Sequence, residues 1–134
     1  MRKYYILLFC LLLAAFPVGC GKGGGKGEKE ELDFTVVEET EIPEELKSII
    51  DEKKEAEFKL TYTSDGSLYL VVGIGRQETG GYSISVKDLY LQEGSICLET
   101  ESMGPSQGET VSKTPSYPYI VLKLPYREEP VMFL

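Results

Sequence analysis

The side chains that most often carry enzymatic chemistry are sparse in this chain of 134 residues, which contains no histidine. Without histidine, a Ser-His-Asp triad, a Cys-His pair or a histidine-ligated metal site cannot form. Paired carboxylates could hydrolyse a glycosidic bond, but the acidic residues cluster in a linker and a predicted helix, and tryptophan is absent. Gly73 and Gly75 are followed neither by a third glycine at dinucleotide-binding spacing nor by a helix. The sequence therefore predicts no catalytic residue, no metal site and no cofactor.

Cys20 is the residue with the clearest chemical role. It follows Phe16-Pro17-Val18-Gly19, a stretch that resembles the lipobox of bacterial lipoproteins, in which small residues precede a cysteine whose thiol receives diacylglycerol before cleavage. Pro17 stands where leucine is usual. Ordinary cleavage that leaves a free thiol is the alternative, but no site of the Ala-x-Ala kind lies nearby. The motif predicts that Cys20 is lipidated and becomes the first residue of the mature protein.

The segment before Cys20 is typical of an export signal. Arg2 and Lys3 give a basic start, and an unbroken apolar run follows from Tyr4 to Ala15. A run of about twelve residues is short of the roughly 20 that a helix needs to cross a bilayer. We therefore predict a lipoprotein signal peptide over residues 1–19. The mature chain is expected to be lipid-anchored and extracytoplasmic, at the cell membrane or outer surface.

The mature chain divides into a linker and one domain. Residues 21–27 contain five glycines and two lysines, a composition that cannot bury apolar surface and behaves as flexible coil. We predict a flexible linker over residues 20–31. Residues 32–134 are long enough for a single small domain.

Charge and cysteine content limit the partners of this domain. Removal of the signal leaves 12 basic and 22 acidic residues, a net charge of −10. Such a chain lacks the basic surface that nucleic acid requires, so no nucleic-acid partner is expected. Cys97 is then the one cysteine left in the domain. It either pairs with another chain or is a small strand residue, and the second interpretation is preferred.

Hydrophobic periodicity predicts a mainly β domain with one helix. Leu32, Phe34 and Val36 alternate with polar or smaller residues and indicate a first strand, and an amphipathic helix follows from about Pro43 to Glu55. Period-two alternation predicts strands at residues 58–62, 82–86 and 95–100, with a phase slip at 88–89 typical of a bulge. Turn chemistry at residues 64–67 predicts a hairpin that leads into a strand at 68–74. Further strands are predicted at residues 119–124 and 131–134. The expected fold class is mainly β (α+β), a small antiparallel, sandwich-like domain of six to seven strands with one packed amphipathic helix near its N-terminus.

Three blocks of sequence are the most distinctive feature of the domain. They are Gly75-Arg76-Gln77-Glu78-Thr79-Gly80-Gly81-Tyr82-Ser83-Ile84, then Gly104-Pro105, then Tyr117-Pro118-Tyr119-Ile120-Val121. In this order and spacing they resemble the C-terminal domain of the protease complex subunit PrcB family over residues 68–124. Glu78 stands where the family tends to have proline, and Ser116 where it tends to have threonine. The resemblance implies a surface lipoprotein that associates with an exported protease complex and helps to stabilise or mature it.

Each residue of these blocks also has a structural interpretation. Gly80 and Gly81 either let a partner approach closely or allow a tight strand connection, and the connection is favoured. Tyr82 suits a core or rim position as well as an interface. The candidates for partner binding are Arg76, Thr79, Gly80, Gly81, Tyr82, Pro105, Tyr117, Pro118 and Tyr119.

The last block and Arg76 leave two further alternatives open. Tyr117, Pro118 and Tyr119 either expose an adhesive aromatic surface or lead into a strand. Arg76 either pairs with Glu78 or meets a carboxylate of a partner.

Three functions from different classes follow from the sequence. The first is a non-catalytic lipoprotein that binds an exported protease. The second is a lipoprotein domain that binds a peptide, a glycan or another envelope component without a protease. The third, and least favoured, is a carboxylate-based hydrolase.

Overall fold

The computed structural model describes residues 28–134, so the predicted signal peptide, Cys20 and most of the predicted linker lie outside the described residues. The elements are β1 (Glu30–Glu31), β2 (Thr35–Val36), a 3-10 turn (Glu39–Glu41), α1 (Glu44–Lys53), β3 (Glu57–Ser64), β4 (Ser67–Ile74), β5 (Ser83–Gln92), β6 (Ser95–Met103), β7 (Tyr119–Pro125) and β8 (Val131–Phe133). Within residues 28–134, no helix has the length and apolar character needed to span a membrane.

The strands form two four-stranded sheets, with the orders β1-β5-β6-β8 and β2-β7-β4-β3. Strand β8 runs parallel to β6, and every other pairing is antiparallel. The two sheets pack face to face, and α1 covers the outer face of the second sheet. The predicted mainly β, sandwich-like fold with one helix is confirmed.

The inner faces of the two sheets form the larger core. Leu70 and Leu122 of the second sheet are completely buried against Leu98 of the first, which is 1 % exposed. Burial of one such leucine contributes roughly 1.5–3 kcal/mol to stability. The remaining members of this core are Leu68, Val72, Leu89, Ile96, Ile120 and Leu124. Side chains at alternate positions of the strands therefore hold the sandwich together.

The helix is held by a second apolar cluster on the other face of β4 and β7. Leu46 and Ile50 lie one turn apart on α1 and are completely buried. They pack against Ile42, Tyr69, Val71 and Val121. Strand β4 is thus buried on both faces, which explains its nearly continuous apolar sequence. Helix α1 ends at Lys53, two residues before the predicted end, and the Ala56 amide donates to the Lys53 carbonyl across the turn that leads into β3.

The predicted turn and bulge are both present. Asp65 and Gly66 have φ values of 49° and 75°, as in a two-residue type I′ hairpin, and they join β3 to β4. The register of β5 against β6 shifts between Val86 and Asp88. Cys97 lies on the opposite face of β6 from Ile96 and Leu98, and it is free and buried.

The predicted first strand is wrong in one respect. The sequence predicts a single strand through Leu32 and Val36, but the strand in this segment is only β2 (Thr35–Val36), and β1 (Glu30–Glu31), which belongs to the other sheet, ends before Leu32. The Leu32 amide donates to the Leu89 carbonyl at 3.0 Å, and the Val37 amide donates to the Val121 carbonyl at 2.8 Å. Leu32 packs against the core between the sheets and Val37 against the helix-side cluster. The alternation therefore reflects a chain that crosses from one sheet edge to the other.

The ordered domain also begins earlier than the sequence predicts. Glu30 and Glu31, placed in the flexible linker, pair with Leu91 and Tyr90 of β5. Beside them, Lys29 Nζ lies 2.6 Å from Asp88 Oδ2. Backbone pairing and this ion pair fix a segment whose composition is polar and gives no periodic signal.

Candidate functional site

The three sequence blocks meet at one end of the sandwich, where β4 ends and where β5 and β7 begin. Gln77 and Ser116 form an isolated β-bridge, in which each amide donates to the other carbonyl at 2.8 and 2.9 Å. Beyond the end of β4, the Ile74 amide donates to the Pro118 carbonyl at 3.1 Å. The long loop of residues 104–118 is thereby fastened along the segment of residues 75–82.

Thr79 and Gly80 hold this loop through hydrogen bonds. The Gly80 amide donates to the Ser112 carbonyl at 2.9 Å, and Ser116 Oγ donates to the Thr79 carbonyl at 2.7 Å. Thr79 Oγ1 is engaged locally, since it donates to the Gly80 carbonyl at 3.0 Å. The Gly80 amide and the Thr79 hydroxyl and carbonyl, which a partner could have bonded, are thus already engaged within the protein.

Gly81 is required by the packing of the same loop. Its φ is +91°, and a Cβ atom added there would lie 2.7 Å from Val111 Cγ1 and 3.2 Å from Pro105 Cβ. A Cβ at Gly80 would instead make ordinary contact with Ser112 at 3.5 Å. The tight-connection interpretation fits Gly81, and Pro105 is its packing partner.

Tyr82 also contacts the long loop. A Cβ added at Gly104 would approach Tyr82 Cε1 to 3.0 Å, so the ring lies directly over the Gly104 backbone. Tyr82 is half-buried. Its ring therefore packs where the long loop leaves β6, as a rim aromatic does.

Arg76 and Tyr117 lie on the outer side of the segments that hold the long loop. Arg76 Nη1 lies 2.8 Å from Glu78 Oε2, and the two side chains are 42 % and 82 % exposed. The Tyr117 hydroxyl, and after it the Glu78 carboxylate, stabilise the charged guanidinium and raise the pKa of Arg76. Lys54 Nζ lies 5.4 Å from the centroid of the Tyr117 ring, within cation–π range. Tyr117 is consequently flanked by two cationic side chains.

A shallow groove of about 510 Å³ runs beside Tyr117. We call it the motif groove, and its lining includes Val36, Lys54, Ile84, Tyr117, Pro118 and Tyr119. Tyr119 forms its inner wall and packs against the helix-side cluster, and burial, followed by the nearby Glu39 carboxylate, raises the pKa of its hydroxyl. The groove offers an aromatic and aliphatic floor with a cation at its rim.

A larger depression of about 700 Å³ lies at the other end of β7, between β2 and the β3–β4 turn. Its lining includes Glu38, Glu41 and Lys123 and none of the nine candidate binding residues. Its size alone does not indicate function, whereas the motif groove is lined by residues of the three sequence blocks. The motif groove is therefore the candidate site.

The comparison with known families gives a match in this region. A family model described as PrcB C-terminal matches residues 68–125. These residues are similar to the PrcB C-terminal family. The match runs from the start of β4 to the end of β7 and contains all three sequence blocks, so the predicted resemblance is confirmed. Neither the curated proteins nor the solved structures gave a match to the chain.

All nine predicted binding residues lie at this end of the PrcB C-terminal region, but they divide into two groups. Tyr117, Pro118 and Tyr119 line the motif groove, and Arg76 lies next to Tyr117. The other five hold the loop behind the groove: Thr79, Gly80, Gly81, Tyr82 and Pro105.

Sequence reasoning missed three residues that shape the site. Lys54 lies near the end of the predicted helix and was not among the candidate binding residues, yet it contacts Tyr117. Val111 and Ser112, which face Gly81 and Gly80, lie in a loop that carries no periodic signal. Among residues 28–134, no group of acidic or cysteine side chains is arranged to hold a metal ion.

Proposed function

We propose that this chain is a non-catalytic, lipid-anchored protein of the cell envelope that binds an exported protease complex and stabilises it or assists its maturation. The observation that carries the proposal is the match of residues 68–125 to the PrcB C-terminal family model. The anchor would be Cys20, outside the described residues. The acidic character of the chain supports this role for Cys20, because an acidic domain has no electrostatic attraction for anionic lipid.

The motif groove is the surface that we assign to partner binding. Arginine and tyrosine are the side chains most enriched at the energetic centres of protein interfaces, and here Arg76 and Tyr117 lie side by side. The ring of Tyr117 gives apolar contact area, and Arg76 and Lys54 offer donors to partner carboxylates or carbonyls. Thr79, Gly81 and Pro105 fix the loop in place, so little conformational entropy is lost when a partner binds.

The experiment compares two arginines that share one local arrangement. Arg76 pairs with Glu78, and Arg127 pairs with Glu129 through two contacts of 2.9 and 3.0 Å. Arg127 follows β7, whereas Arg76 lies beside its start. Tagged wild-type, Arg76→Ala and Arg127→Ala proteins are captured from native membranes, and the recovered proteins are identified by mass spectrometry.

We expect an exported protease to be recovered with the wild type and with Arg127→Ala, and to be lost with Arg76→Ala. Urea unfolding should show that Arg76→Ala is as stable as the wild type, since an exposed ion pair adds little to stability. Recovery of the same proteins by wild type and Arg76→Ala would exclude the motif groove as the binding surface. Absence of any protease from the wild-type capture would contradict the proposed function.

A further inference from the structure

The four sheet edges in the described residues differ in how well they are protected. Strands β1 and β2 are two residues long and β8 is three. Short edges of this kind prevent pairing with other chains. Strand β3 is eight residues long, contains no proline, and pairs with β4 without a register shift. It is the longest of the four edge strands in the part of the chain that the structure describes, whereas the two-residue β1 pairs only with Leu91 and Tyr90 of β5.

The β3–β4 turn determines which backbone groups of β3 point outward. In a two-residue hairpin the flanking residues, here Ser64 and Ser67, form a hydrogen-bonded pair. Alternate residues of β3 then bond to β4, and the others direct both N–H and C=O away from it. The outward-facing residues are Glu57, Lys59, Thr61 and Thr63. Ile74, the register partner of Glu57, agrees with this pattern, because its amide donates toward Pro118.

The side chains of β3 separate cleanly onto two faces. Phe58, Leu60 and Tyr62 are half-buried at the rim of the helix-side cluster. Lys59, Thr61 and Thr63 lie on the other face and are exposed. A strand added to this edge would therefore need apolar residues on one face and polar residues on the other.

The sequence of β3 meets this requirement when it pairs with itself. In the antiparallel register that places Leu60 opposite Leu60 of a second copy, Phe58 faces Tyr62, Lys59 faces Thr61 and Glu57 faces Thr63. Aromatic pairs and leucine pairs across strands are stabilising. The outward-facing groups would form about eight hydrogen bonds between the chains, two for each hydrogen-bonded pair.

The two neighbouring registers that keep the same residues facing outward are less favourable. A register centred on Lys59 places this lysine opposite its own copy, and like charges directly opposite each other destabilise a sheet. A register centred on Thr61 places Phe58 opposite Ser64, the last residue of β3, so the pairing of Phe58 with Tyr62 is lost. The register centred on Leu60 is therefore selected.

From this self-complementarity we infer that two copies of the chain associate through their β3 strands about a two-fold axis, with Leu60 opposite Leu60. The two second sheets would then form one continuous sheet of eight strands. The interface is isologous, so it closes as a dimer and does not propagate. This inference is independent of the proposed function, since it rests on β3 alone.

Single cysteines report the register directly. In the full-length chain carrying Cys97→Ser, Leu60→Cys would place two thiols at a non-hydrogen-bonded pair, where Cα atoms lie about 4.5 Å apart and a disulfide can form. Phe58→Cys and Tyr62→Cys are the matched controls, because neither residue faces its own copy in this register. The Cys97→Ser parent accounts for any reaction of Cys20.

We expect mild oxidation to produce a covalent dimer from Leu60→Cys above the level of the parent, and none above that level from the two controls. No dimer from Leu60→Cys would overturn the inference. Equal dimer from all three variants would indicate random collision, and dimer only from a control would indicate another register; each result contradicts the inference.

Thr61→Pro tests the same edge without a thiol. The Thr61 amide points away from β4, so proline removes hydrogen bonds to the second copy and none within the chain. Analytical ultracentrifugation of the detergent-solubilised full-length protein should show a shift from dimer to monomer mass, and the crosslink of Leu60→Cys should be lost. The unfolding midpoint in dilute solution should stay unchanged. A monomeric wild type would refute the pairing, even if the β3 edge proved to bind another protein. A Thr61→Pro protein that is folded and still dimeric would also refute it.

Discussion

Replacement of Gly81 by alanine should destabilise the domain because two costs coincide at this position. A φ of +91° is unfavourable for any residue with a Cβ, by about 1–2 kcal/mol. The added Cβ would also lie 2.7 Å from Val111 Cγ1, which forces the long loop to move. We expect the free energy of unfolding to fall by about 2 kcal/mol or more, which corresponds to a fall in Tm of roughly 10 °C for a domain of this size.

Gly80→Ala is the matched control for this measurement. Its added Cβ would meet Ser112 at an ordinary 3.5 Å, and its φ is not in the left-handed region. Urea unfolding should therefore give Gly80→Ala a stability within about 0.5 kcal/mol of the wild type. In the Gly81→Ala/Val111→Ala double variant the steric part of the loss should be relieved, and a double-mutant cycle measures that part. Equal losses for Gly80→Ala and Gly81→Ala, or no loss for either, would refute the packing argument.

Three further predictions concern other parts of the chain. The hydrogen bond from Tyr90 to Glu99 (2.9 Å) raises the pKa of Tyr90 from 10.0 to about 12. Its contribution to stability is therefore present below pH 10 and lost as the pH rises toward 12, so Tyr90→Phe should flatten the pH dependence of urea unfolding in that range. Deletion through residue 27 should leave the urea midpoint unchanged, whereas deletion through Glu31 should lower it, because the second deletion removes β1 and the contact of Lys29 with Asp88. Cys20→Ala should move the chain from the membrane fraction to the soluble fraction; a variant that stays with membranes would disprove the tether.

Local patterns in the sequence predicted most of the elements, because the causes of those elements are local. The alternation in β3, β5 and β6, the two-residue turn at Asp65 and Gly66, and the spacing of Leu46 and Ile50 each depend on neighbours within a few residues. The phase slip near Asp88 predicted the bulge for the same reason, since it moves the side chains that follow to the other face.

Long-range pairing could not be predicted in this way. Periodicity predicted one half-buried strand through Leu32 and Val36, but Val36 is exposed and the chain changes sheets between the two residues. The same holds for the parallel pairing of β8 with β6. Lengths and faces of strands are encoded locally, whereas their partners depend on the whole domain.

The candidate site likewise combines features that the sequence predicted locally with contacts that depend on the whole fold. The family resemblance drew attention to Gly81 and Tyr117, and the structure brings both to one end of the sandwich. The contact of Val111 with Gly81 and that of Lys54 with Tyr117 join residues that are tens of positions apart. The two groups of residues, those that hold the long loop and those that line the motif groove, can be told apart only once the loop is folded.

The most direct test of the proposed function is the amount of the exported protease complex in cells that lack this chain. The complex to measure is the one recovered with the wild-type protein, quantified in the envelope fraction by mass spectrometry. We predict that its level falls when the chain is absent, that wild type and Arg127→Ala restore it, and that Arg76→Ala does not. An unchanged level of the protease in cells without the chain would contradict a stabilising or maturing role.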